Sequence, residues 1–342
     1  MPLQSSGSIS LNQIHVEGGG SSGSNTSLND ADCRNLIFKT ANTSMSFSDW
    51  YGAGKVNGEF QLQEITISNF ISSGGTFTIP SGAWIWSDST STPAITVDIP
   101  CTIINNGYII GKGGNGGSIG SLNGANGGPA MNITASSVFI TNNSGAFIAG
   151  GGGGGAASSL ITGLGGYGYV IAAGGGGAGG GSGGSGGVQN IAPVSYSGKA
   201  GGAINSEGGT QFSTNNQAGG HGGSSGGGRI LPGTESVGTG NFWPITWPVA
   251  NWGCGGGANN PGIEGGLGRT ATYNTGFTAG CGGGGWGAAG GNCRHTFTAW
   301  DGTYYPNFYH TATGGSGGNA ISKSGSGAYS LTNNGTVYGT TA

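Results

Sequence analysis

Runs of glycine limit how this chain can fold more than any other feature, because glycine fills 84 of its 342 positions. The longest run, six residues at 150–155, follows a short apolar segment. Such a glycine content is typical of linkers and disordered tails. Here, however, the runs alternate with strand-like segments, and the chain carries 8 Trp, 12 Phe and 11 Tyr. That is too much apolar side chain for a solvated spacer, so the composition favours an ordered protein.

A short unit recurs along the chain and supports this interpretation. In residues 138–155 a β-branched and aromatic segment is followed by Asn-Asn-Ser-Gly, a second short apolar segment and the six glycines. Similar units occupy 101–117 and 329–339. Asn and Gly tolerate positive φ, so each unit predicts a strand, a turn and a second strand. An internal repeat of this kind decides the fold class.

The glycine runs partly keep a three-residue frame, as in the Ser-Gly-Gly steps at 182 and 185 and the steps at Lys112 and Asn115. Collagen is not indicated, because the frame is not strict and 11 prolines are too few. Three residues per turn fits polyproline-II geometry, which has no internal hydrogen bonds. Buried backbone groups must nevertheless be paired. The sequence therefore predicts a mainly β fold with a layered stack of laterally bonded polyglycine-II helices.

We divide the chain into an N-terminal segment at 1–58, a β-rich module at 59–149 and a glycine-rich domain at 150–342. In the first segment, the spacing of Ser27 and Asp30 predicts a helix over 31–37, and Ser48 is a candidate N-cap of a second helical turn ending at Gly52. The remainder of this segment is Ser/Gly-rich and is expected to be extended. Such a segment is too small for its own core. It is either a docking segment that folds against a partner or a subdomain packed on the next domain.

Apolar residues in 59–100 alternate with polar ones at period two, as at Ile65 and Ile67 or Trp84 and Trp86. Turn sequences such as Ser72 to Gly75 separate these short runs. We interpret this part as an antiparallel β module.

Charge and hydropathy exclude several functions. Nine Lys and Arg residues stand against twelve Asp and Glu residues, so there is no basic surface that would bind nucleic acid. There is no run of 18 apolar residues, and we expect no insertion into a membrane. The start of the chain shows no secretory signal, although the composition resembles that of extracellular proteins. Assembly of a virus particle in a bacterial cytoplasm, followed by lysis, would explain both observations.

The sequence predicts neither an enzyme nor a cofactor nor a metal site. His295 and Asp301 are close in sequence, but there is no nucleophile-elbow motif, and nothing brings Glu235, Glu264 and Asp301 into one cleft. The five cysteines lack CxxC spacing. Cys281 and Cys293 flank one glycine run and could pair after release from the cell, or remain buried thiols.

Aromatic residues concentrate in the segments between the glycine runs at 229–252, 258–280 and 294–313. A glycine scaffold offers no side chains for them to pack into, so we expect loops at its ends. Exposed Trp and Tyr on loops held by a rigid frame are typical of a recognition surface. The candidate receptor-binding residues are Phe242, Trp243, Trp247, Trp252, Tyr273, Phe277, Phe297, Trp300, Tyr304, Tyr305, Phe308 and Tyr309.

These glycine-rich pieces resemble the receptor-binding adhesins at the distal tips of long tail fibres in T-even-like bacteriophages. The matching pieces are Tyr108 to Gly117, Asn142 to Gly150, Ala172 to Gly177, Gly280 to Trp286 and Gly335 to Gly339. The resemblance implies layered polyglycine-II helices that carry variable loops for outer-membrane proteins or sugars. By this analogy the aromatic segments are host-range loops.

The first hundred residues depart from that family. Residues 28–32 and 45–52 instead resemble a module found in assorted phage tail and baseplate proteins. We therefore expect two kinds of partner: a bacterial surface receptor, and other phage tail proteins bound through residues 1–58. A structural tail or virion component that binds no receptor is the alternative. An ice-binding protein is disfavoured, because the sequence has no regular Thr array.

Overall fold

A computed structural model of the chain describes residues 3–4, 6–39, 41–42, 44–51, 53–56, 59–118, 120–161, 169–172, 174–184, 281–294 and 311–342, together with the backbone of six short strands between 187 and 279. In this part of the chain the fold is mainly β, as predicted, with few and short helices. No helix among these residues is long and apolar enough to span a bilayer.

The helices and strands are short throughout. The helices are α1 (Leu11–Gly18) and α2 (Ala31–Asn35), with 3₁₀ turns at Phe47–Trp50 and Ile67–Asn69. The strands are β1 (Gly54–Val56), β2 (Glu59–Gln63), β3 (Ile65–Thr66), β4 (Thr76–Ile79), β5 (Trp84–Trp86), β6 (Ile95–Val97), β7 (Thr102–Asn105), β8 (Tyr108–Ile110), β9 (Met131–Ile133), β10 (Val138–Asn142), β11 (Phe147–Ala149), β12 (Ser158–Ile161), β13 (Tyr169–Ala172), β14 (Gly187–Val188), β15 (Ser213–Asn215), β16 (His221–Ser224), β17 (Thr239–Phe242), β18 (Ile245–Pro248), β19 (Phe277–Ala279), β20 (Cys293–Arg294), β21 (Thr311–Ala312), β22 (Ile321–Lys323), β23 (Tyr329–Asn333) and β24 (Thr336–Tyr338).

The N-terminal helices differ in part from the sequence expectations. Helix α2 begins at the predicted residue, Ala31, but ends at Asn35. In the next turn Ser46, not Ser48, is the N-cap, because the carboxylate of Asp49 accepts a hydrogen bond from its backbone N–H at 2.9 Å. Helix α1 lies where we expected extended chain. Its N-terminus is closed by a capping box between Ser10 and Gln13, the Ser-x-x-Gln form of this motif.

Three parallel sheets form the sides of a three-sided β-helix. Their strand orders are β1-β2-β5-β8-β11-β24, β3-β6-β9-β22 and β4-β7-β10-β23. Because every third strand returns to the same sheet, three consecutive strands make one turn of this helix. The prediction of an antiparallel module is therefore wrong, since only β1 and β2 pair antiparallel in these sheets. Alternation at period two reports which face is buried and does not distinguish the two pairing modes.

The repeated sequence units lie one above the other in this β-helix. Strands β7, β10 and β23 pair in register, so that Ile103 aligns with Ile140 and Ile140 with Leu331. Strands β8, β11 and β24 pair in the same way on the adjacent side. The predicted strands are confirmed. The Asn-Gly turn between them is a corner between two sheets.

A ladder of asparagine side chains runs through these corners. Asn105 donates from Nδ2 to Oδ1 of Asn142 at 2.8 Å, and Asn142 donates to Oδ1 of Asn333 at 2.8 Å. Asn142 also donates to the carbonyl of Thr336 at 3.1 Å. Asn105 and Asn142 are fully buried. The ladder therefore satisfies polar groups that would be costly to bury unpaired.

The N-terminal segment closes the first turn of the β-helix. Ile14, Leu36 and Trp50 are fully buried and belong to the same apolar core as Phe77 and the Ile residues of the sheets. The indole N–H of Trp50 donates to the carbonyl of Cys33 at 2.8 Å. The described part of residues 1–58 thus packs on the β module and shares its core.

The glycine runs form a second body, which we call the glycine lattice. It comprises residues 111–118, 122–128, 150–157, 174–184, 281–292 and 313–318. The lattice grows from one corner of the β-helix, because 111–128 connect β8 to β9 and the other segments lie between β11 and β22. The three C-terminal strands then return to the same sheets.

Segment 150–157 lies at the centre of the lattice and bonds to neighbours on all sides. Its N–H groups donate to three neighbours in turn, at 2.8–3.0 Å. Residues 151, 154 and 157 donate to segment 122–128. Residues 152 and 155 donate to 174–178, and residues 153 and 156 donate to 288–291. Its carbonyls accept from 111–117, 281–287 and 315–318, again at every third residue. A bond direction that repeats every three residues is what three residues per turn produces. The polyglycine-II geometry itself stays a prediction.

Glycine is required in this centre by the space between segments. A Cβ on Gly152 would overlap the carbonyl oxygens of Gly284 and Gly285, and nearly every other lattice glycine faces backbone in the same way. At the rim, asparagine side chains replace missing neighbours. Oδ1 of Asn115 accepts from Ser182 N at 3.0 Å, and Oδ1 of Asn126 accepts from Ser316 N at 2.9 Å.

The cysteines have two different environments. Cys33 and Cys101 are free and buried, and burial raises the pKa of the Cys101 thiol to about 11. Cys281 is disulfide-bonded. Its proposed partner Cys293 has a side chain outside the described residues, so their pairing stays a prediction.

We expect Gly152→Ala to destabilise the protein by about 3 kcal/mol or more, because backbone cannot move aside as a side-chain end can. The matched control is Gly145→Ala. Gly145 has φ 82° and open space at its Cβ position, so that variant meets only the left-handed backbone cost of about 1–2 kcal/mol. Thermal and urea unfolding of both variants compare the costs. If both variants lost the same free energy of unfolding, the close approach of backbone segments in the lattice would be unimportant for stability.

Replacing the central ladder residue by Asn142→Leu should cost about 1–3 kcal/mol, because Asn105 and Asn333 lose a buried partner. Asn333→Ala is the control, because Asn333 is exposed at the end of the ladder and Asn142 keeps its bond to Thr336. The free energy of unfolding of Asn333→Ala should be lower than that of wild type by about 1 kcal/mol or less. Urea unfolding would contradict the ladder's role if Asn142→Leu were as stable as wild type.

Candidate receptor-binding site

The glycine lattice has two distinct ends. At the end that we call proximal it continues the β-helix. Gly111 follows β8 and donates to the carbonyl of Ala149 at 2.8 Å, and Gly150 follows β11 and donates to that of Tyr338 at 2.9 Å. The first lattice bonds therefore extend the sheet formed by β8, β11 and β24.

The opposite, distal end is marked by residue 157, where the central segment stops. The first excursion of the chain from the lattice, residues 158–173, begins here. Ala157 donates to the carbonyl of Leu122 at 2.8 Å, and Gly174, where the chain returns, donates to that of Gly117 at 2.9 Å. Leu122 and Gly117 flank the tight connection closed by the Ser118–Ser121 bridge. The chain thus leaves the lattice after Ala157 and re-enters it at Gly174 at the same, distal end.

The second excursion, residues 185–280, leaves and returns at the same end. Gly184 donates to the carbonyl of Gly174 at 2.9 Å. Cys281, the first residue after the excursion, donates to the carbonyl of Ala156 at 2.9 Å. Both contacts lie at the last turn of the lattice.

The third excursion, residues 293–312, starts from this level too. Gly291 accepts a bond from Ala156 N at 3.0 Å, and Asn292 Oδ1 accepts from Gly314 N at 2.8 Å. Strands β20 and β21 form its stem, with Arg294 paired to Thr311. All three excursions therefore leave and re-enter the lattice at the distal end.

All twelve candidate receptor-binding residues belong to the second and third excursions. Phe242, Trp247 and Phe277 lie on strands β17, β18 and β19, of which the backbone is described. β17 and β18 form an antiparallel hairpin in which Phe242 pairs with Ile245. The side chains of these three residues lie outside the described residues. The other nine candidates lie wholly outside the described residues: Trp243, Trp252, Tyr273, Phe297, Trp300, Tyr304, Tyr305, Phe308 and Tyr309.

Sequence reasoning missed the first excursion as part of this end. It forms the antiparallel hairpin β12–β13, which contacts β16 and β19 of the second excursion. Aromatic density was the criterion for the predicted loops, and 158–173 is short and poor in Trp and Phe. The usable signal is its position between two glycine runs, 150–155 and 174–177.

The described surroundings of the distal end carry little charge. Among the described residues of the lattice and its excursions, the charged ones are Lys112, near the proximal end, and Arg294, on the stem of the third excursion. The groups considered for catalysis, His295, Asp301, Glu235 and Glu264, lie outside the described residues. Nothing in the described geometry therefore brings together a nucleophile and a base at this end.

The family model of the phage tail fibre adhesin Gp38 matches residues 53–342. No curated protein and no solved structure matches the chain significantly. The family match begins just after the N-terminal helical segment and includes the whole β-helix. The departure that we expected for the first hundred residues is therefore confined to residues before 53. With most of its length matched, the chain belongs to the phage tail fibre adhesin Gp38 family, and it is a virion component.

Proposed function

We propose that this tail adhesin binds a receptor on the bacterial surface, an outer-membrane protein or a glycan, through loops at the distal end of the glycine lattice. One observation carries the proposal. The three excursions of the chain leave and return at the same end, and two of them contain all twelve candidate aromatic residues. Aromatic anchors on loops held by a rigid frame are typical of binding surfaces.

In this proposal the lattice is a polyglycine-II scaffold. Its bond directions repeat every third residue, and its central segment has six hydrogen-bonded neighbours. Such a scaffold has backbone pairing in every direction and almost no side chains to repack. Fixed loop ends reduce the ordering cost of binding, which favours affinity at a given contact area.

Attachment to the phage is the second part of the proposal. The N-terminal segment packs on the β-helix, which joins the lattice at its proximal end, so it is separate from the receptor loops in the fold. This segment exposes large apolar side chains, namely Val16 (44% exposed), Phe47 (43%) and Tyr51 (39%). We propose that residues 1–58 bind other phage tail proteins and that assembly occurs in the host cytoplasm. Neither nucleic-acid binding nor catalysis is part of the proposal.

The structure allows a clean removal of one candidate loop. Because Arg294 and Thr311 are paired, residues 295–310 can be replaced by Asn-Gly, the preferred sequence of a two-residue hairpin turn. This variant lacks Phe297, Trp300, Tyr304, Tyr305, Phe308 and Tyr309. We expect its binding to host cells to fall about 30-fold or more, the equivalent of about 2 kcal/mol, with an unchanged melting temperature. Trp243→Ala tests the second excursion in the same assay.

Phe139→Ala is the control for these variants. Phe139 is 56% exposed on the outer face of β10, away from the distal end, and its removal should leave cell binding unchanged. If the loop-replaced protein and Trp243→Ala both bind cells as wild type does, the receptor-binding proposal is wrong for these loops. The chain would then be a structural part of the fibre.

Attachment is tested by surface variants, because deleting residues 1–58 would uncover the core of the first β-helix turn. We expect Val16→Ser combined with Phe47→Ser to prevent co-purification with phage particles while the protein stays folded. Both side chains are partly exposed, so little packing is lost and the melting temperature should fall only modestly. Normal incorporation of this variant would move the attachment site outside the N-terminal segment. Phe139→Ser provides the matched loss of an exposed aromatic.

A further inference from the structure

Three potential metal ligands from different parts of the N-terminal segment lie together. His15 is on α1, and Asp32 and Cys33 are in the first turn of α2. Their ligand atoms all lie within 4.8 Å of one another. Cys33 is fully buried, while the side chains of His15 and Asp32 are 12% and 24% exposed. The group therefore lies just below the surface, between the two helices.

The hydrogen bonds around His15 fix its tautomer. The hydroxyl of Ser24 donates its one proton to the carbonyl of Ser21 at 2.7 Å. Ser24 Oγ is also 2.7 Å from Nε2 of His15, so it must accept a proton from that nitrogen. In the neutral imidazole the proton is therefore on Nε2. Nδ1 then carries a lone pair, and this nitrogen is in contact with Oδ2 of Asp32.

This lone pair faces a second acceptor. Nδ1 of His15 is in close contact with Oδ2 of Asp32, which is buried and has no hydrogen-bond donor among the described residues. Thr26 does not relieve the contact, because its hydroxyl lies 3.1 Å from Asp30 Oδ2 and 3.1 Å from His15 Nδ1 but makes no hydrogen bond to Asp32. Two acceptors in contact repel each other, so a cation must relieve the contact. The cation is either a second proton on the imidazole, held between the two atoms, or a metal ion that binds both atoms at a slightly larger separation.

We propose that His15 Nδ1, the Asp32 carboxylate and Cys33 Sγ bind one zinc ion. Imidazole nitrogen, carboxylate oxygen and thiolate sulfur are the three donor types that zinc takes in proteins. The partly exposed side of the cluster leaves the fourth position to water. A ligating histidine typically donates its other N–H to a fixed acceptor, and Ser24 is that acceptor here.

The surrounding chain holds the ligands in place. A Cβ on Gly20 would overlap the imidazole ring of His15, so this glycine lets the chain lie directly against the ring. Thr26 Oγ1 is 3.8 Å from Cys33 Sγ and 3.1 Å from His15 Nδ1, so it touches two of the three ligands. An ion at this point would tie α1 to α2 and stabilise the segment that closes the β-helix. The sequence carries no CxxC-type signal for such a site.

Metal uptake by the full-length protein tests the proposal. Zinc is titrated against a chromophoric chelator, and cobalt(II) is used as a spectroscopic probe because a cysteine ligand gives a thiolate-to-cobalt charge-transfer band. We expect one zinc per chain. His15→Gln should weaken binding about 100-fold or more, and Cys33→Ser should also remove the charge-transfer band. Cys101→Ser is the matched control, because Cys101 is another free, buried cysteine that is not one of these three ligands, and this variant should bind zinc as wild type does.

A second readout covers variants that fold poorly. Zinc should raise the melting temperature of wild type and of Cys101→Ser, but not that of His15→Gln or of the isosteric Asp32→Asn. Failure of wild type to take up zinc overturns the proposal. Zinc uptake by His15→Gln and Asp32→Asn that equals uptake by wild type also overturns it. In either case His15 and Asp32 form an ion pair with a doubly protonated imidazole.

Discussion

Lateral backbone hydrogen bonds between glycine segments are the interaction on which this architecture depends. The central segment 150–157 pairs none of its N–H and C=O groups with one another, so it is stable only beside its neighbours. The β-helix supplies the first neighbours. Gly111 and Gly150 leave adjacent parallel strands already in register, and their first bonds, to Ala149 and Tyr338, continue the sheet. The sheet thus sets the spacing and direction from which the other segments are added.

The local pattern of this fold could be predicted from the sequence, whereas its connections could not. The repeated unit located β7, β10 and β23 because β-branched residues and Asn-Gly corners are local signals. Their parallel stacking depends on partners far along the chain, which alternation does not encode. The asparagine ladder has the same origin. Asn105, Asn142 and Asn333 are visible as a motif, but only the register shows that they bond to one another.

The candidate site shows the same division. Aromatic-rich segments were identified from composition, but their convergence on one end depends on the direction of every lattice segment. Those directions are set by tight reversals where glycine adopts positive φ, such as Gly120, Gly180 and Gly287. In a chain with 84 glycines, sequence alone does not separate these from glycines required by close packing. The first excursion was missed for a separate reason, because it lacks the Trp and Phe residues by which the other segments were identified.

If the excursions bind the receptor as proposed, holding their ends by backbone hydrogen bonds separates the stability of the protein from its specificity. The lattice bonds at Ala157, Gly174, Gly184 and Cys281 use main-chain atoms, so they do not depend on which side chains the excursions carry. The entropy of closing a flexible loop grows slowly, by about 0.6 kcal/mol for each doubling of length. Excursions as different as 158–173 and 185–280 can therefore start from the same end at similar cost. In the proposed function, a scaffold of this kind would tolerate exchange of its loops, as recognition of changing bacterial surfaces requires.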